Sequence, residues 1–230
     1  MKTLIGLILT LLTGLFILLG SLIVIKSKNK EKIVDFSISL GFTVMLGLIL
    51  LELLPEAMMH LNNYIYVILF IALGLLLLKI LDIFIPEHNE NLNHLGIVSS
   101  IALIIHNLIE GIAILGVTLT EIHLGILLSI GVGLHNIPMG MIITTSIKNN
   151  KRLIILPLLA LSTLIGGLLA SISTVFVNEF ILGIFLAITL GMLLYISIFE
   201  LLPKMKNKPN ILGIIIGIIL IVLTLCFHHH

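Results

Sequence analysis

The chain has 230 residues, of which 59% are hydrophobic and only 10% are charged, and its mean hydropathy is +1.31. A water-soluble surface needs about a quarter to a third of charged residues, so this composition excludes a soluble globular protein and indicates a lipid bilayer as the solvent. A net charge of +1 and the absence of tryptophan exclude a nucleic-acid-binding protein, and the single cysteine, Cys226, excludes an intrachain disulfide.

Eight apolar segments follow one another, each about 20 residues long and therefore able to cross the hydrocarbon core as a helix. The predicted spans are residues 4–25, 34–55, 64–85, 95–118, 122–147, 153–176, 180–202 and 210–227. The first span lacks a small-residue cleavage site, so we expect it to be retained and not removed as a signal peptide. The sequence predicts one all-α transmembrane domain over residues 1–227, followed by a histidine tag remnant at residues 228–230.

Basic residues are concentrated in the loops after spans one, five and seven, and such loops stay in the cytoplasm. These residues are Lys26, Lys28, Lys30 and Lys32, then Lys148, Lys151 and Arg152, then Lys204, Lys206 and Lys208. The loops at the opposite end hold no lysine or arginine, and the N-terminus has only Lys2. We therefore expect a multi-pass protein of the cell membrane with both termini outside.

The loop between spans three and four, residues 85–94, is then also cytoplasmic. It carries Glu87, His88, Glu90 and His94, which could bind a metal loosely. Four such residues do not make a histidine-rich tract, so a solvated loop is the preferred interpretation.

The string ELLP closes both span two, at Glu52 to Pro55, and span seven, at Glu200 to Pro203. The two spans run in opposite directions, so the match indicates an inverted repeat of spans 1–3 and 6–8 around the central pair 4–5. A chance match between leucine-rich spans is the alternative. Inverted repeats build secondary transporters with sites near the bilayer midplane. For Glu52 and Glu200, a role in the ion pathway or gate and a simple interfacial position are equally open.

A second repeat, HNxxxG, occurs at residues 106–111 of span four and 135–140 of span five. The midpoint between His106 and His135 falls in the short loop near Thr120. An antiparallel hairpin would therefore bring both histidines to a similar depth, near the middle of the bilayer.

Ionisable side chains at this depth are costly, so they mark a functional site by default. His106 and Glu110 stand four residues apart and share a helix face, as do His135 and Met139. Imidazole and carboxylate suit zinc and neighbouring divalent ions, and a thioether adds a soft ligand. The structural alternative is a histidine–glutamate hydrogen bond that holds two helices together.

Three neighbouring residues strengthen the case for a site. Asn107 and Asn136 could donate amide oxygens to a metal, but a role in orienting the histidines is favoured. Pro138 cannot donate to the carbonyl of Leu134, which predicts a kink beside His135.

The strings HNLIEG at 106–111 and HNIPMG at 135–140 resemble the paired metal motifs in spans four and five of the ZIP (Zrt/Irt-like protein) metal transporters. The string GMLLYIS at 191–197 in span seven resembles the bacterial members of that family. The resemblance implies a homodimeric zinc importer that also accepts iron, manganese or cadmium, with the metal as cargo and no enzymatic cofactor. The positions that match family ligands are His106, Asn107, Glu110, His135 and Asn136, and Met45 resembles a position from which some members reach the site.

The chain also departs from the family pattern. Met139 stands where span five usually has glutamate, Ile109 where span four usually has proline, and Gly166 where span six usually has another glutamate. Only Glu110 remains to offset metal charge, so we expect one metal and not two, with hard ions such as manganese disfavoured.

Two other functions are weighed against zinc transport. One is a degenerate family member that binds or senses metal, or carries another solute. The other is an intramembrane metallohydrolase, which the absence of an H-E-x-x-H motif disfavours. No nucleotide-binding motif is present, so downhill and proton-coupled transport both stay open.

Overall fold

A computed structural model of the chain describes residues 1–84, 91–147, 149–172 and 178–228. These residues are almost entirely helical and contain no strand. Helices are the expected solution in lipid, where each backbone N–H and C=O group must find its partner within its own segment. The predicted all-α membrane architecture is confirmed.

Eight helices, named α1 to α8, make up the described part of the chain. They are α1 Lys2–Lys26, α2 Lys30–Leu48 continued by Ile49–Leu53 and Leu54–Leu61, α3 Tyr64–Phe84, α4 Asn91–Thr120, α5 Ile122–Ser146, α6 Asn149–Ile172, α7 Glu179–Tyr195 continued by Ile196–Leu201 and Leu202–Asn207, and α8 Ile211–His228. Each matches one predicted span.

Length and composition allow seven of the described helices to cross a membrane, and α8 adds a shorter apolar stretch, Ile211–Cys226. α3 is the least buried of the seven, because only 17% of its most apolar 18-residue stretch is buried by the rest of the protein. Its exposed side chains, among them Ile65, Leu69 and Phe84, are large and apolar. In water such a surface would be an aggregation hazard, whereas in a bilayer it contacts lipid.

α2 and α7 contain a π-helical turn at equivalent places, Ile49–Leu53 and Ile196–Leu201, and each ELLP glutamate lies on that turn. Pro55 and Pro203 follow in the first turn of the next α-helical segment. Proline is tolerated there because its missing N–H is not needed at the start of a segment. The helices therefore continue past the prolines, and the predicted ends at residues 55 and 202 were too early.

The packing of the helices follows the inverted repeat. α1, α4, α5 and α6 pack on one another, while α3 packs on α7 and α2 on α8. The repeat pairs α1 with α6, α2 with α7, α3 with α8 and α4 with α5. Under this pairing the contact between α1 and α5 is equivalent to the contact between α6 and α4. The contact between α2 and α8 is likewise equivalent to the contact between α7 and α3. This arrangement supports the repeat and places the α4–α5 hairpin at its centre.

Candidate metal centre

Three buried side chains of the α4–α5 hairpin meet near its middle. Nε2 of His106 lies 2.8 Å from Oε1 of Glu110, and Nε2 of His135 lies 2.6 Å from the same oxygen. The imidazole centroids are 5.8 Å apart. We call His106, Glu110 and His135 the central cluster. Each offers one ligand atom, and all three atoms lie within 4.8 Å of one another.

The local sequence explains why these side chains meet. His106 and Glu110 are four residues apart on α4 and therefore share one face. Only Glu121 separates α4 from α5, so the two helices run antiparallel and bring His135 to the same depth. Pro138 lies inside α5 without ending it. The predicted convergence of both histidines and Glu110 is thus what the fold produces.

The contacts within the central cluster are of two kinds. His135 and Glu110 share a hydrogen bond. Nε2 of His106 approaches the same oxygen without hydrogen-bond geometry, and Oε2 of Glu110 has no hydrogen-bond partner among the described residues. Burying polar atoms without hydrogen-bond partners is unfavourable, and a cation bound between them would offset that cost.

The spacing of the central cluster fits one zinc ion. Two ligands of a tetrahedral zinc are about 3.3 Å apart, given metal–ligand distances of about 2.0 Å. The observed 2.6 and 2.8 Å separations would need to widen by only about half an ångström. Two imidazoles and one carboxylate are a three-ligand set of the kind zinc binds with a fourth position open.

The two asparagines anchor the hairpin to its neighbours. Nδ2 of Asn107 donates to the carbonyl of Leu159 on α6, at 3.1 Å, and Nδ2 of Asn136 donates to the carbonyl of Thr13 on α1, at 3.3 Å. Neither bond involves a histidine, so the role of the asparagines in orienting the histidines stays a prediction. Both Oδ1 atoms are buried without a hydrogen-bond partner among the described residues.

The family model of the ZIP zinc transporters matches residues 86–225. The chain belongs to the ZIP family. No curated protein matches it. The matched region includes all of α4 to α7 and most of α8, and it contains the whole central cluster. The ZIP family is a family of divalent metal transporters and not of enzymes.

At two of the positions where this ZIP chain departs from the family pattern, Met139 and Gly166, helix packing occupies the available space. Met139 and Met45 are buried in the hydrophobic core, and neither lines the two cavities that border the central cluster. At Gly166, an added Cβ atom would overlap the carbonyl oxygen of Leu108. The contact between α6 and α4 therefore leaves no room for a side chain where the family glutamate was expected.

Glu52 lies next to the central cluster. It is 7% exposed and lines a cavity of about 30 Å³ together with Glu56, His106 and Glu110. It also lines a second, smaller cavity beside His135. A volume of this size holds a water molecule or a largely dehydrated ion. The structure thus joins Glu52 to the site, whereas the sequence left its role open.

Glu200 lies in a different place, at the end of α7 that meets the end of α3 and the start of α4. Oε1 of Glu200 is 3.9 Å from Nδ1 of His94, whose Nε2 is 3.1 Å from Oδ1 of Asp82. Asp82, His94 and Glu200 form the second cluster, and their ligand atoms also lie within 4.8 Å of one another. Glu200 is therefore not part of the central cluster.

One expectation about this region is wrong, because His94 is not in a solvated loop. α4 begins at Asn91, and His94 is 8% exposed. Glu87, His88 and Glu90 lie outside the described residues. Sequence reasoning also missed Asp82, whose only signal was an ionisable side chain close to the end of an apolar span.

Proposed function

We propose that this ZIP-family chain imports zinc into the cytosol by alternating access through a single metal site. The observation that carries the proposal is the central cluster, in which two imidazoles and one carboxylate converge on facing helices at one depth. This ligand set favours zinc over harder divalent ions. Cadmium and ferrous ions are further candidates, because both also accept imidazole ligands.

A single metal per chain follows from charge. Two divalent ions need several anionic ligands to balance them. Glu52 and Glu56 line the neighbouring cavity, but Glu110 is the carboxylate whose ligand atom is grouped with both histidines among the described residues. The close contact at Gly166 and the thioether of Met139 supply no further negative charge. One zinc ion on Glu110 and two neutral histidines is the better-balanced arrangement.

The pathway we propose runs past both clusters. The cavity lined by Glu52 and Glu56 leads to the central cluster from the side that the charge rule assigns to the outside. His94, at the lysine-rich end, is on the same helix as His106, about 18 Å further along its axis. Zinc would therefore pass from Glu52 to the central cluster and leave near Glu200.

The transport step itself would be a shift of the α4–α5 hairpin with the helices packed on it. α1 and α6 hold the hairpin through Asn136 and Asn107, so these four helices are suited to move together. The homodimer implied by the family resemblance stays a prediction.

Zinc flux into proteoliposomes tests the proposal. We expect saturable zinc uptake by the native chain, and uptake at the level of empty liposomes for the double variant His106→Ala, His135→Ala. His123→Ala is the matched control, because this histidine is exposed at the start of α5, and its uptake should equal that of the native chain.

Two other results would decide against zinc transport. If folded native protein binds zinc but gives no flux above empty liposomes, the chain is a sensor or carries another solute. If the double variant transports zinc as fast as the native chain, the central cluster is not the transport site.

A further inference from the structure

The carboxylate of Glu200 is held by a lysine one turn away. Nζ of Lys204 lies 3.0 Å from Oε2 of Glu200 and donates to the backbone carbonyl of Glu200 at 3.2 Å. Both side chains are mostly buried, with 22% and 13% of their surfaces exposed. Because partial burial reduces screening, this ion pair is stronger than one on an open surface.

The rest of the second cluster has the character of a cation site. His94 is 8% exposed, and its Nε2 faces Oδ1 of Asp82 at 3.1 Å. Neither atom has a hydrogen-bond partner among the described residues. The other oxygen of Asp82 accepts a hydrogen bond from the hydroxyl of Tyr195, at 2.6 Å, which fixes the carboxylate. A buried nitrogen and a carboxylate oxygen are thus in close contact without hydrogen-bond geometry.

A cation bound by the second cluster would share Glu200 with Lys204. Glu200 offers one oxygen, Oε1, towards His94 and the other, Oε2, to the lysine ammonium. The ammonium already supplies one of the two positive charges that a divalent ion would bring to Asp82 and Glu200. Zinc and Lys204 therefore repel each other and compete for the same carboxylate.

We propose that Lys204 is a tethered cation that competes with departing zinc for Glu200, and so keeps the second cluster a weak, rapidly emptied site. The inference rests on the proposed function for the direction of transport. Its chemistry, a competition between an ammonium group and a divalent metal for one carboxylate, does not depend on that direction.

The repeat shows that this lysine belongs to one end of the pathway alone. The first ELLP string is followed by Glu56 and the second by Lys204, at equivalent positions. Glu56 lines the cavity at the central cluster, where negative charge attracts a cation. Lys204 has the opposite sign at the other end, where a cation must leave.

Zinc binding to the full-length chain in nanodiscs, measured by calorimetry, tests the inference. The central cluster is first disabled with His106→Ala and His135→Ala, so that remaining binding reports the second cluster. In this background Lys204→Gln should tighten zinc binding by about tenfold, because a repelling charge is removed. Lys204→Arg should leave the affinity unchanged, and Lys204→Glu should tighten it further.

Two controls define the result. Lys206→Gln removes the charge of an exposed neighbouring lysine and should not change zinc affinity. Asp82→Asn, combined with any of the residues tested at position 204, should abolish the zinc binding that remains once the central cluster is disabled. The inference is overturned if the affinity does not follow the charge at position 204, or if no variant binds zinc once the central cluster is disabled.

Failure of this inference can be distinguished from failure of the proposed function. The calorimetric test uses chains without a central cluster, so its outcome is independent of flux. A lysine that only stabilises the helix end would lower the thermal unfolding temperature of Lys204→Gln without changing zinc affinity, and that result also overturns the inference.

Discussion

Glu110 determines the character of the central cluster, because among the described residues it is the carboxylate in contact with both histidines. In a low-dielectric site, each additional carboxylate favours hard, strongly charged ions, while imidazole and thioether groups favour softer ones. The selectivity of the chain should therefore depend on how many carboxylates surround the metal.

A second carboxylate at position 139 should broaden that selectivity. The Met139 side chain packs in the hydrophobic core. It lies only one turn after His135 on α5, and a carboxylate is costly in an apolar core, so the charged group of Met139→Glu should turn towards the metal. We expect manganese uptake to rise relative to zinc uptake by about tenfold, measured as the ratio of the two fluxes in proteoliposomes.

Met139→Gln is the matched control, since glutamine has a similar length without the charge. If the glutamine variant changes the flux ratio as much as the glutamate variant, the effect arises from packing and not from metal coordination. An unchanged ratio in both variants would mean that position 139 does not reach the metal.

The residues of the central cluster could be predicted from sequence because their signal is local. His106 and Glu110 are ionisable, four residues apart and inside an apolar run, and His135 repeats the motif. Asp82 and His94 were harder, since each stands near a helix end, where a charged residue is ordinary. Their meeting depends on how α3, α4 and α7 pack, which no local pattern encodes.

The helix contacts around the hairpin depend on the two HNxxxG motifs. In each motif the asparagine donates to a carbonyl of the neighbouring helix, and the glycine packs on the carbonyl one turn later. Gly111 meets the carbonyl of Thr163 on α6, and Gly140 meets that of Ile17 on α1. The motifs thus fix how closely α4 and α5 approach the helices beside them.

Substituting either glycine should therefore separate two helices. An alanine Cβ at Gly111 or Gly140 would overlap a backbone oxygen, which cannot turn away as a side chain can. We expect Gly111→Ala and Gly140→Ala each to destabilise the protein by about 1–3 kcal/mol, measured by thermal unfolding in detergent.

Gly133→Ala is the control for this pair. Its Cβ would meet ring atoms of Phe16 at 3.1 Å, and a ring can move. Because alanine also favours the helix, its cost should be near zero. Equal destabilisation by all three substitutions would argue that lost backbone freedom, and not the carbonyl contact, explains the effect.

Hydropathy predicted the number of helices and most of their limits. It did not predict the π-helical turns at Ile49–Leu53 and Ile196–Leu201, because one extra residue in a turn hardly alters an apolar pattern. Pro55 and Pro203 were the available signal for an irregular turn, but proline also occurs where a helix truly ends. The ambiguity is physical, because proline lacks a backbone N–H group and leaves an upstream carbonyl without its usual donor in both cases.

For the whole molecule, the inverted repeat produces two ends that are alike in backbone and opposite in charge. Lys2, at the start of α1, donates to the carbonyls of Leu119 and Thr120 at the end of α4, so these segments share one end. The lysine-rich loops lie at the other. The sidedness of the membrane therefore decides which cluster zinc meets first.

Cysteine labelling in intact cells tests that sidedness. After Cys226→Ser removes the single native cysteine, Lys2→Cys should react with a membrane-impermeant maleimide, because both termini are expected outside. Lys206→Cys should react only after permeabilisation, and the cysteine-free chain gives the background. The reverse pattern would place Lys204 outside and Glu56 in the cytosol. Metal would then meet the repelling lysine first, and the charge asymmetry of the repeat would favour export.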